Sequence, residues 1–202
     1  MVHFVGAGSG AADLITLRGD RLLRAADVVI WAGSLVNPEL LDACRPDCEV
    51  HDSATMTLEE VIAVMERAHA AGREVVRLHT GDPSVYGAIQ EQMDALAARG
   101  IPFDVTPGVS SFCGAAAALR QELTLPGVSQ TVMLTRLEGR TPMPAGEDMR
   151  SLAAHGSTMV IFLSAGMLGR LQEELLAAGR SPEEPVAIVY KATWPDEEVI
   201  RC

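Results

Sequence analysis

The sequence is poor in aromatic residues, in lysine and in basic charge. Aromatic side chains make up 4% of its 202 residues, and Lys191 is its single lysine. Acidic residues outnumber basic ones by 27 to 16, which gives a formal net charge of −11. A protein that binds nucleic acid without regard to sequence needs the opposite balance. The composition therefore argues against a nucleic-acid partner.

Long apolar runs are also absent. No stretch reaches the roughly eighteen apolar residues that a membrane-spanning helix needs, and no basic segment precedes the first apolar run, Val2–Val5, as it would in a secretion signal. Hydrophobic residues nevertheless make up 48% of the chain and charged residues 21%, which excludes a disordered protein and a coiled coil. These features predict a globular cytoplasmic protein with no membrane partner.

Cysteine is scarce too, and its pattern points to no metal. The four cysteines form no C-x-x-C pair, and Cys44 and Cys48 have neither a second pair nor nearby histidines to complete a zinc site. The five histidines fall into no metal-binding motif. We therefore expect reduced cysteines and no bound metal.

What the sequence has is a regular alternation of strand and helix patterns. Short apolar runs typical of buried strands alternate with helical periodicity, which predicts α/β layers with a largely parallel sheet. The predicted helices in this part are residues 13–25, a helix that follows the capping box Thr57–Glu60, and residues 85–99. Beyond a helix of small residues at 114–119, connections that contain proline and glycine separate the predicted elements. We therefore predict two α/β domains, residues 1–115 and residues 116–202.

Glycine- or proline-rich turns directly follow several predicted strands. They are Gly6–Gly10, His79–Gly87, Pro107–Ser111 and Ser164–Gly166. Ligands of α/β sheets bind at the carboxyl ends of the strands, and glycine lets the backbone approach a ligand closely. Several such turns on one side of a sheet therefore indicate a cofactor cleft.

Two alternatives remain open at the level of residues. The first turn satisfies G-x-G-x-x-A at Gly6, Gly8 and Ala11, as in an NAD(P) oxidoreductase, but the acid expected at the end of the second strand is missing. In the second turn, Asp82 can accept a hydrogen bond from a ligand, or it can cap a helix that starts near Ser84.

Three segments resemble the signatures of the S-adenosylmethionine-dependent tetrapyrrole (precorrin) methyltransferases. Phe4–Gly19 resembles the first signature, Thr80–Gly87 the second and Pro107–Ser111 the third. Two further runs, Ala32–Pro38 and Lys191–Glu197, are similar to the branch of this family that methylates C11 of precorrin-4. The resemblance extends over essentially the whole chain. It departs at Ser9, where the family usually has proline.

The resemblance implies two α/β domains with S-adenosylmethionine in the cleft between them. It assigns the cofactor contacts to both domains: Thr80, Gly81, Asp82, Val85, Ser110 and Ser111 in the first, Leu163 and Ala187 in the second. It also implies a homodimer. Because family members usually continue beyond Trp194–Glu197, we expect the second domain to be incomplete at Cys202.

The activity implied by the resemblance is methyl transfer, without a metal, to C11 of precorrin-4 or its cobalt form in corrin (vitamin B12) biosynthesis. Glu91 is a candidate base for the proton that leaves the substrate, although a solvated glutamate on a helix face is the alternative interpretation. Since the substrate is a polyanion, some arginines are expected to bind its carboxylates. A relative that methylates RNA or protein is the alternative within the superfamily.

Overall fold

The structure, a computed structural model, describes residues 1–202 and divides them into two compact units. The first unit contains Met1–Ala118 and Val189–Glu198, and the second contains Leu119–Ile188 and Val199–Cys202. The expected boundary at residues 115 and 116 therefore falls inside a helix, Ser111–Leu119. The segment Val189–Glu198, expected in the second domain, belongs to the first unit because its side chains contact the turn after the first strand.

The first unit is built on one parallel sheet of five strands. Its strands are β1 (Val2–Gly6), β2 (Val28–Trp31), β3 (Glu49–Asp52), β4 (Val75–His79) and β5 (Phe103–Thr106), in the order β3-β2-β4-β1-β5. Both β1 and β4 are buried along their whole length. Continuous apolar strands of this kind form because helices cover both faces of a parallel sheet.

Four helices belong to this unit: α1 (Leu17–Ala25), α2 (Leu58–Ala70), α3 (Gln90–Ala98) and α4 (Ser111–Leu119). Successive side chains of a strand point to opposite faces, and two hydrophobic clusters result. Phe4 packs on the face that α2 and α3 cover, and Leu78 packs on the face that α1 covers. The predicted capping box of α2 is confirmed, with Thr57 and Glu60 bonding each other's main chain.

Two helices begin later than their sequence patterns predict. The helix predicted from Asp13 starts at Leu17, because Thr16 caps it through the amide of Gly19. The helix predicted from Val85 starts at Gln90, because Tyr86 and Ala88 have φ angles of 56° and 50° that no right-handed helix accommodates. In addition, β3 was not predicted. It is an edge strand with alternating burial and few apolar residues.

The remaining strands form two shorter sheets. Strands β6 (Val132–Arg136) and β7 (Thr158–Phe162) form a parallel pair, and β8 (Ala187–Tyr190) pairs with β9 (Glu198–Arg201). Two helices, α5 (Met149–Ala153) and α6 (Leu168–Ala177), are joined by an ion pair between Arg150 and Glu174. None of the six helices has the length and apolar character to cross a membrane.

Candidate functional site

Three of the glycine-rich turns lie side by side at the carboxyl edge of the first sheet. They follow β4, β1 and β5, which are neighbours in that order. The helix after β1 covers one face of the sheet, whereas the helix after β4 covers the other. Connections that diverge in this way leave a crevice at the strand ends, where ligands of open α/β sheets bind. The predicted grouping of these turns on one side is therefore confirmed.

Main-chain hydrogen bonds join the first two turns. The amide of Ala7 donates to the carbonyl oxygen of His79 (2.7 Å), and that of Gly81 donates to the carbonyl oxygen of Gly8 (2.8 Å). Gly8 and Gly81 thereby form an isolated antiparallel bridge beyond the ends of the parallel strands. The first and second turns are thus one connected piece of backbone.

Glycine is required where the three turns meet. A Cβ atom on Gly6 would lie 2.5 Å from Cα of Gly108 and 2.7 Å from the carbonyl oxygen of Gly81. A Cβ atom on Gly108 would collide with the same oxygen. At these two positions glycine serves the close approach of one turn to another, rather than the approach to a ligand that the sequence suggested. Gly81 itself has a φ of 61°, in the left-handed region.

Asp82 ties the second turn to the third. One carboxylate oxygen accepts hydrogen bonds from the amide (2.8 Å) and hydroxyl of Ser84, and the other accepts from the amide of Gly108 (2.9 Å). Burial acts to raise the pKa of Asp82, but the bonds from Ser84 and Gly108 outweigh it, so the pKa lies below its ordinary value. The alternative role as a helix cap at Ser84 is wrong, because no helix begins there.

The other first-unit residues assigned to the cofactor surround this junction. Thr80 is exposed, and Val85 is half-buried with its amide bonded to the carbonyl oxygen of Asp82. Ser110 is buried, and a Cβ atom on Gly81 would lie 3.4 Å from its Cα. Ser111 opens α4, whose first amide groups have no partner within the helix and can bind an anion.

The remaining candidates lie elsewhere in the chain. Glu91 occupies the first turn of α3, where its exposed carboxylate forms no hydrogen bond or ion pair. Leu163 follows β7 in the second unit, 73% exposed and with a φ of 54°. Ala187 is the exposed first residue of β8. The roles of these three residues stay predictions.

Two sequence runs resemble one particular branch of the family, and a residue of each run contacts the first turn. From the run 32–38, the side-chain amide of Asn37 donates to the carbonyl oxygen of Gly10 (3.0 Å). From the run 191–197, Trp194 fills the space that a Cβ atom on Gly10 would occupy. Each run thus holds the same glycine in place.

Ser9 stands where the family usually has proline, and its hydroxyl supplies a different restraint. It lies 3.1 Å from the hydroxyl oxygen of Thr193, which also accepts a hydrogen bond from the amide of Ala11 (3.0 Å). Thr193 has a φ of 70°. The loop that a proline would stiffen locally is stiffened here by a residue far along the chain.

Sequence reasoning missed three buried polar residues beneath the second turn: Arg77, His79 and Gln92. Burial, and then the charge of Arg77, lower the pKa of His79 to about 3, so the imidazole is neutral at neutral pH. Its Nε2 atom is buried without a hydrogen-bond partner. The sequence did contain a signal for two of them, because Arg77 and His79 are polar residues in a strand that is otherwise apolar.

Known proteins match this chain along almost its whole length. A profile of the family described as Tetrapyrrole (Corrin/Porphyrin) Methylases matches residues 1–202. The cobalt-precorrin-4 C(11)-methyltransferase of Methanocaldococcus jannaschii is 54% identical over 200 residues, which are 99% of this chain and 77% of that protein. The precorrin-4 C(11)-methyltransferase of Mycobacterium tuberculosis is 47% identical over 201 residues, which are 99% of this chain and 80% of that protein.

Solved structures give the same grouping. The X-ray structure of a cobalt precorrin-4 methyltransferase matches with a TM-score of 0.96 and 48% identity, over 99% of this chain and 84% of that one. The uroporphyrin-III C-methyltransferase of Thermus thermophilus, solved with S-adenosylhomocysteine, matches with a TM-score of 0.83 and 30% identity, over 100% of this chain and 82% of that one. Since both the sequence and the arrangement of its turns match along the whole chain, the protein belongs to the tetrapyrrole (corrin/porphyrin) methylase family.

Proposed function

We propose that this protein transfers a methyl group from S-adenosylmethionine to C11 of precorrin-4 or cobalt-precorrin-4, a step of corrin (vitamin B12) biosynthesis. The observation that carries the proposal is the match of 99% of the chain, at 47% and 54% identity, to two proteins named for this reaction. The NAD(P) alternative lacks support, because no acid ends β2 and no relative described above is an oxidoreductase.

The residues at the three-turn junction fit S-adenosylmethionine. Its carboxylate suits the free amides at the start of α4, with the hydroxyls of Ser110 and Ser111 beside them. Thr80 offers an exposed hydroxyl and Val85 an apolar surface. Asp82 has both carboxylate oxygens engaged by protein donors, so its first contribution is to fix the shape of the turn. From the second unit, Leu163 and Ala187 are assigned to the adenosine.

Methyl transfer from a sulfonium requires little from the protein beyond the alignment of the two reactants. When bound, S-adenosylmethionine supplies a methyl carbon that is electrophilic because it is attached to a sulfonium. The turns that would hold the cofactor would present this carbon to the attacking substrate carbon, and holding two reactants in position accounts for much of the rate. Gly6 and Gly108 contribute by letting the three turns pack closely into one rigid wall.

A base must accept the proton that the substrate loses as the new carbon–carbon bond forms. Glu91 is our candidate, because its carboxylate has no protein partner and stands at the start of the helix that follows the second turn. A carboxylate that is held by no other group is available to take a proton.

Arg18 is our candidate for binding a carboxylate of the substrate. It is exposed, forms no ion pair or hydrogen bond, and lies in the first turn of α1, next to Leu17, which is also exposed. A cation in the first turn of a helix opposes the helix dipole, so its position favours a role in binding an anion. We expect Arg18→Gln to raise the KM for the tetrapyrrole about tenfold and leave the Kd for S-adenosylhomocysteine unchanged, as measured by kinetics and calorimetry.

We further propose a cytoplasmic homodimer that acts on a small molecule and has neither nucleic acid nor membrane as a partner. The net charge of −11 and the family resemblance support this assignment. Light scattering gives the oligomeric state, and a gel-shift series at increasing salt tests for nucleic acid.

One experiment tests the proposed reaction directly. The protein is incubated with precorrin-4 and methyl-labelled S-adenosylmethionine, and the labelled carbon of the product is located by NMR. Label on C11 is the expected result. Label on another ring carbon would replace the proposed substrate position, and calorimetry that detects no S-adenosylhomocysteine binding by the folded protein would remove the methyltransferase proposal altogether.

A further inference from the structure

Arg77 is a buried cation with no carboxylate to balance it. Its side chain on β4 is 8% exposed and forms no ion pair. The guanidinium donates from Nε to Oε1 of Gln92 (3.1 Å) and from Nη1 to the carbonyl oxygen of Ile30 (3.3 Å). Burial lowers the pKa of Arg77 to about 10, which leaves it charged at neutral pH. Burying a charge against neutral dipoles alone is costly, so this arrangement suggests a purpose beyond packing.

Gln92 connects Arg77 to a loop through a second hydrogen bond. Its Oε1 accepts from Arg77, and its Nε2 donates to the carbonyl oxygen of Ala88 (3.1 Å). Because a guanidinium can only donate, the orientation of the Gln92 amide is fixed, with its oxygen toward Arg77 and its nitrogen toward Ala88. The bonds from Arg77 through Gln92 to Ala88 form what we call the buried relay.

The loop that the relay reaches is strained. Tyr86 and Ala88 both have positive φ angles although neither is glycine. Such conformations persist only where the surroundings hold them, and they concentrate at functional sites. The loop forms the end of the second glycine-rich turn and leads into α3, the helix that carries Glu91.

The same loop packs back on the earlier part of the second turn. A Cβ atom on Gly87 would meet Cα of Pro83 at 3.0 Å and would collide with its carbonyl oxygen. Pro83 is buried and directly follows Asp82, which binds the third turn. A shift of the loop at Tyr86–Ala88 is therefore transmitted to the turn that carries Thr80, Asp82 and Val85.

We infer that Arg77 and Gln92 are positioning residues for methyl transfer. The buried relay holds the strained loop Tyr86–Ala88, and the loop fixes both the second turn, on which the cofactor binds, and the start of α3 with Glu91. The role in transfer rests on the proposed function. The restraint on the loop does not, because it follows from the hydrogen bonds alone.

The sharpest test is Gln92→Glu, with Gln90→Glu as its control. Glutamate keeps an acceptor for Arg77 and gives it a counter-charge, but it removes the donor to Ala88 and brings a carboxylate against that carbonyl oxygen. Gln90 is an exposed residue of the same helix whose amide bonds Asp94. It therefore reports the same chemical change outside the relay.

We expect Gln92→Glu to remain folded and to exchange the amide hydrogens of residues 86–89 about tenfold faster than the natural protein. We also expect its Kd for S-adenosylhomocysteine to rise about tenfold and its KM for S-adenosylmethionine to rise with it. Gln90→Glu should change neither the exchange nor the Kd. Gln92→Asn, which keeps both chemical groups one methylene shorter, should loosen the same amides and serves if the glutamate variant does not fold.

Natural exchange and natural affinity in folded Gln92→Glu would overturn the inference. A uniform rise in exchange across β1 and β4 would overturn it too, since the relay would then support the whole core and not the loop. If the natural protein itself does not bind S-adenosylhomocysteine, the proposed function fails, while the exchange of residues 86–89 in the two glutamate variants still decides whether the relay holds the loop.

Discussion

The glycines of the two units have opposite surroundings. In the second unit, a Cβ atom added to any glycine from Gly127 to Gly179 would meet nothing within 4 Å. In the first unit most glycines sit against another backbone or a side chain, and at Gly6, Gly87 and Gly108 the obstacle is main chain. Glycine thus permits close packing of the backbone in the first unit, whereas in the second unit no neighbouring atom requires it.

Burial differs in the same direction. The largest fully buried side chains all lie in the first unit, as do both hydrophobic clusters. In the second unit β7 is only half-buried, and β9 is exposed throughout. The turns assigned to the cofactor are therefore mounted on the better-packed part of the chain, and binding geometry is most accurate on rigid elements.

Gly108→Ala and Gly169→Ala test the contrast most severely. The first places a methyl group against the carbonyl oxygen of Gly81, and we expect it to lower the free energy of unfolding by about 3 kcal/mol or more and to abolish binding of S-adenosylhomocysteine. The second replaces a glycine of α6 that faces open space, and we expect a gain of about 0.5–1 kcal/mol. Urea unfolding and calorimetry measure both. Equal effects would show that the two units do not differ in this way.

Truncating matched leucines compares the two interiors. Leu78 is 0% exposed on β4, whereas Leu134 on β6 is 38% exposed. We expect Leu78→Ala to cost about 2–5 kcal/mol, because it leaves a cavity in a close-packed cluster, and Leu134→Ala to cost about 1 kcal/mol or less. Urea titrations followed by circular dichroism give the two values. A larger loss at Leu134 would mean that the second unit is the better packed of the two.

Two histidines, one buried and one exposed, provide a comparison based on the pH dependence of the free energy of unfolding. His79 has a pKa of about 3 in the folded protein, against 6.5 ordinarily, because burial and then Arg77 disfavour its charged form. Between these values the unfolded chain binds a proton that the folded chain does not, so stability falls as the pH is lowered below 6.5. From about pH 7 to about pH 5 the loss from this group is about 2 kcal/mol.

Replacement of each histidine by leucine isolates that contribution. We expect the free energy of unfolding of His79→Leu to depend less on pH over this range, by the same 2 kcal/mol or so. His155 is exposed in the second unit, and His155→Leu is the control for the loss of an imidazole elsewhere in the chain. An unchanged dependence in His79→Leu would mean that this imidazole binds its proton equally well in the folded and the unfolded chain.

Helix caps provide the smallest and most local comparison. Thr57 caps α2 in the first unit, and Asp148 caps α5 in the second through the amide (3.0 Å) and hydroxyl of Ser151. Each change to alanine should cost about 1 kcal/mol locally. If the less buried unit unfolds first, Asp148→Ala lowers the earlier thermal transition and Thr57→Ala the later one. A single transition that both variants shift equally would mean that the units unfold together.

Much of the first sheet could be predicted because its strands are buried on both faces. Strands of this kind are continuous apolar runs that end at glycine- or proline-rich turns, as at Gly6 and His79. Both the strands and the turns can therefore be recognised in the sequence. The edge strand β3 was missed because its alternation of half-buried and exposed residues spans only four positions and three of the four are polar. Helix α3 was extended too far because Tyr86 and Ala88 are ordinary helix residues, and nothing in their type indicates a positive φ.

The site was only partly predictable, for a different reason. Motifs identified which turns group together, but the task of each residue depends on partners that lie far away in sequence. The bond of Asp82 to Gly108 and the position of Trp194 over Gly10 are examples. The chain of bonds through Arg77 and Gln92 carries no sequence motif, because the position of Arg77 in an apolar strand does not indicate that Gln92 is its partner.

The bond between Ser9 and Thr193 has a consequence for the order in which the protein is made. Its two residues are separated by 184 positions, and at about 5–20 residues per second a ribosome needs roughly 10–40 s to add that length. Until then the first turn exists without Thr193 and Trp194, although β1 and β4 are already available to pair. Until Thr193 has been added, the nascent chain therefore carries these three turns only partly restrained, and the last of them to be secured is the first to be translated.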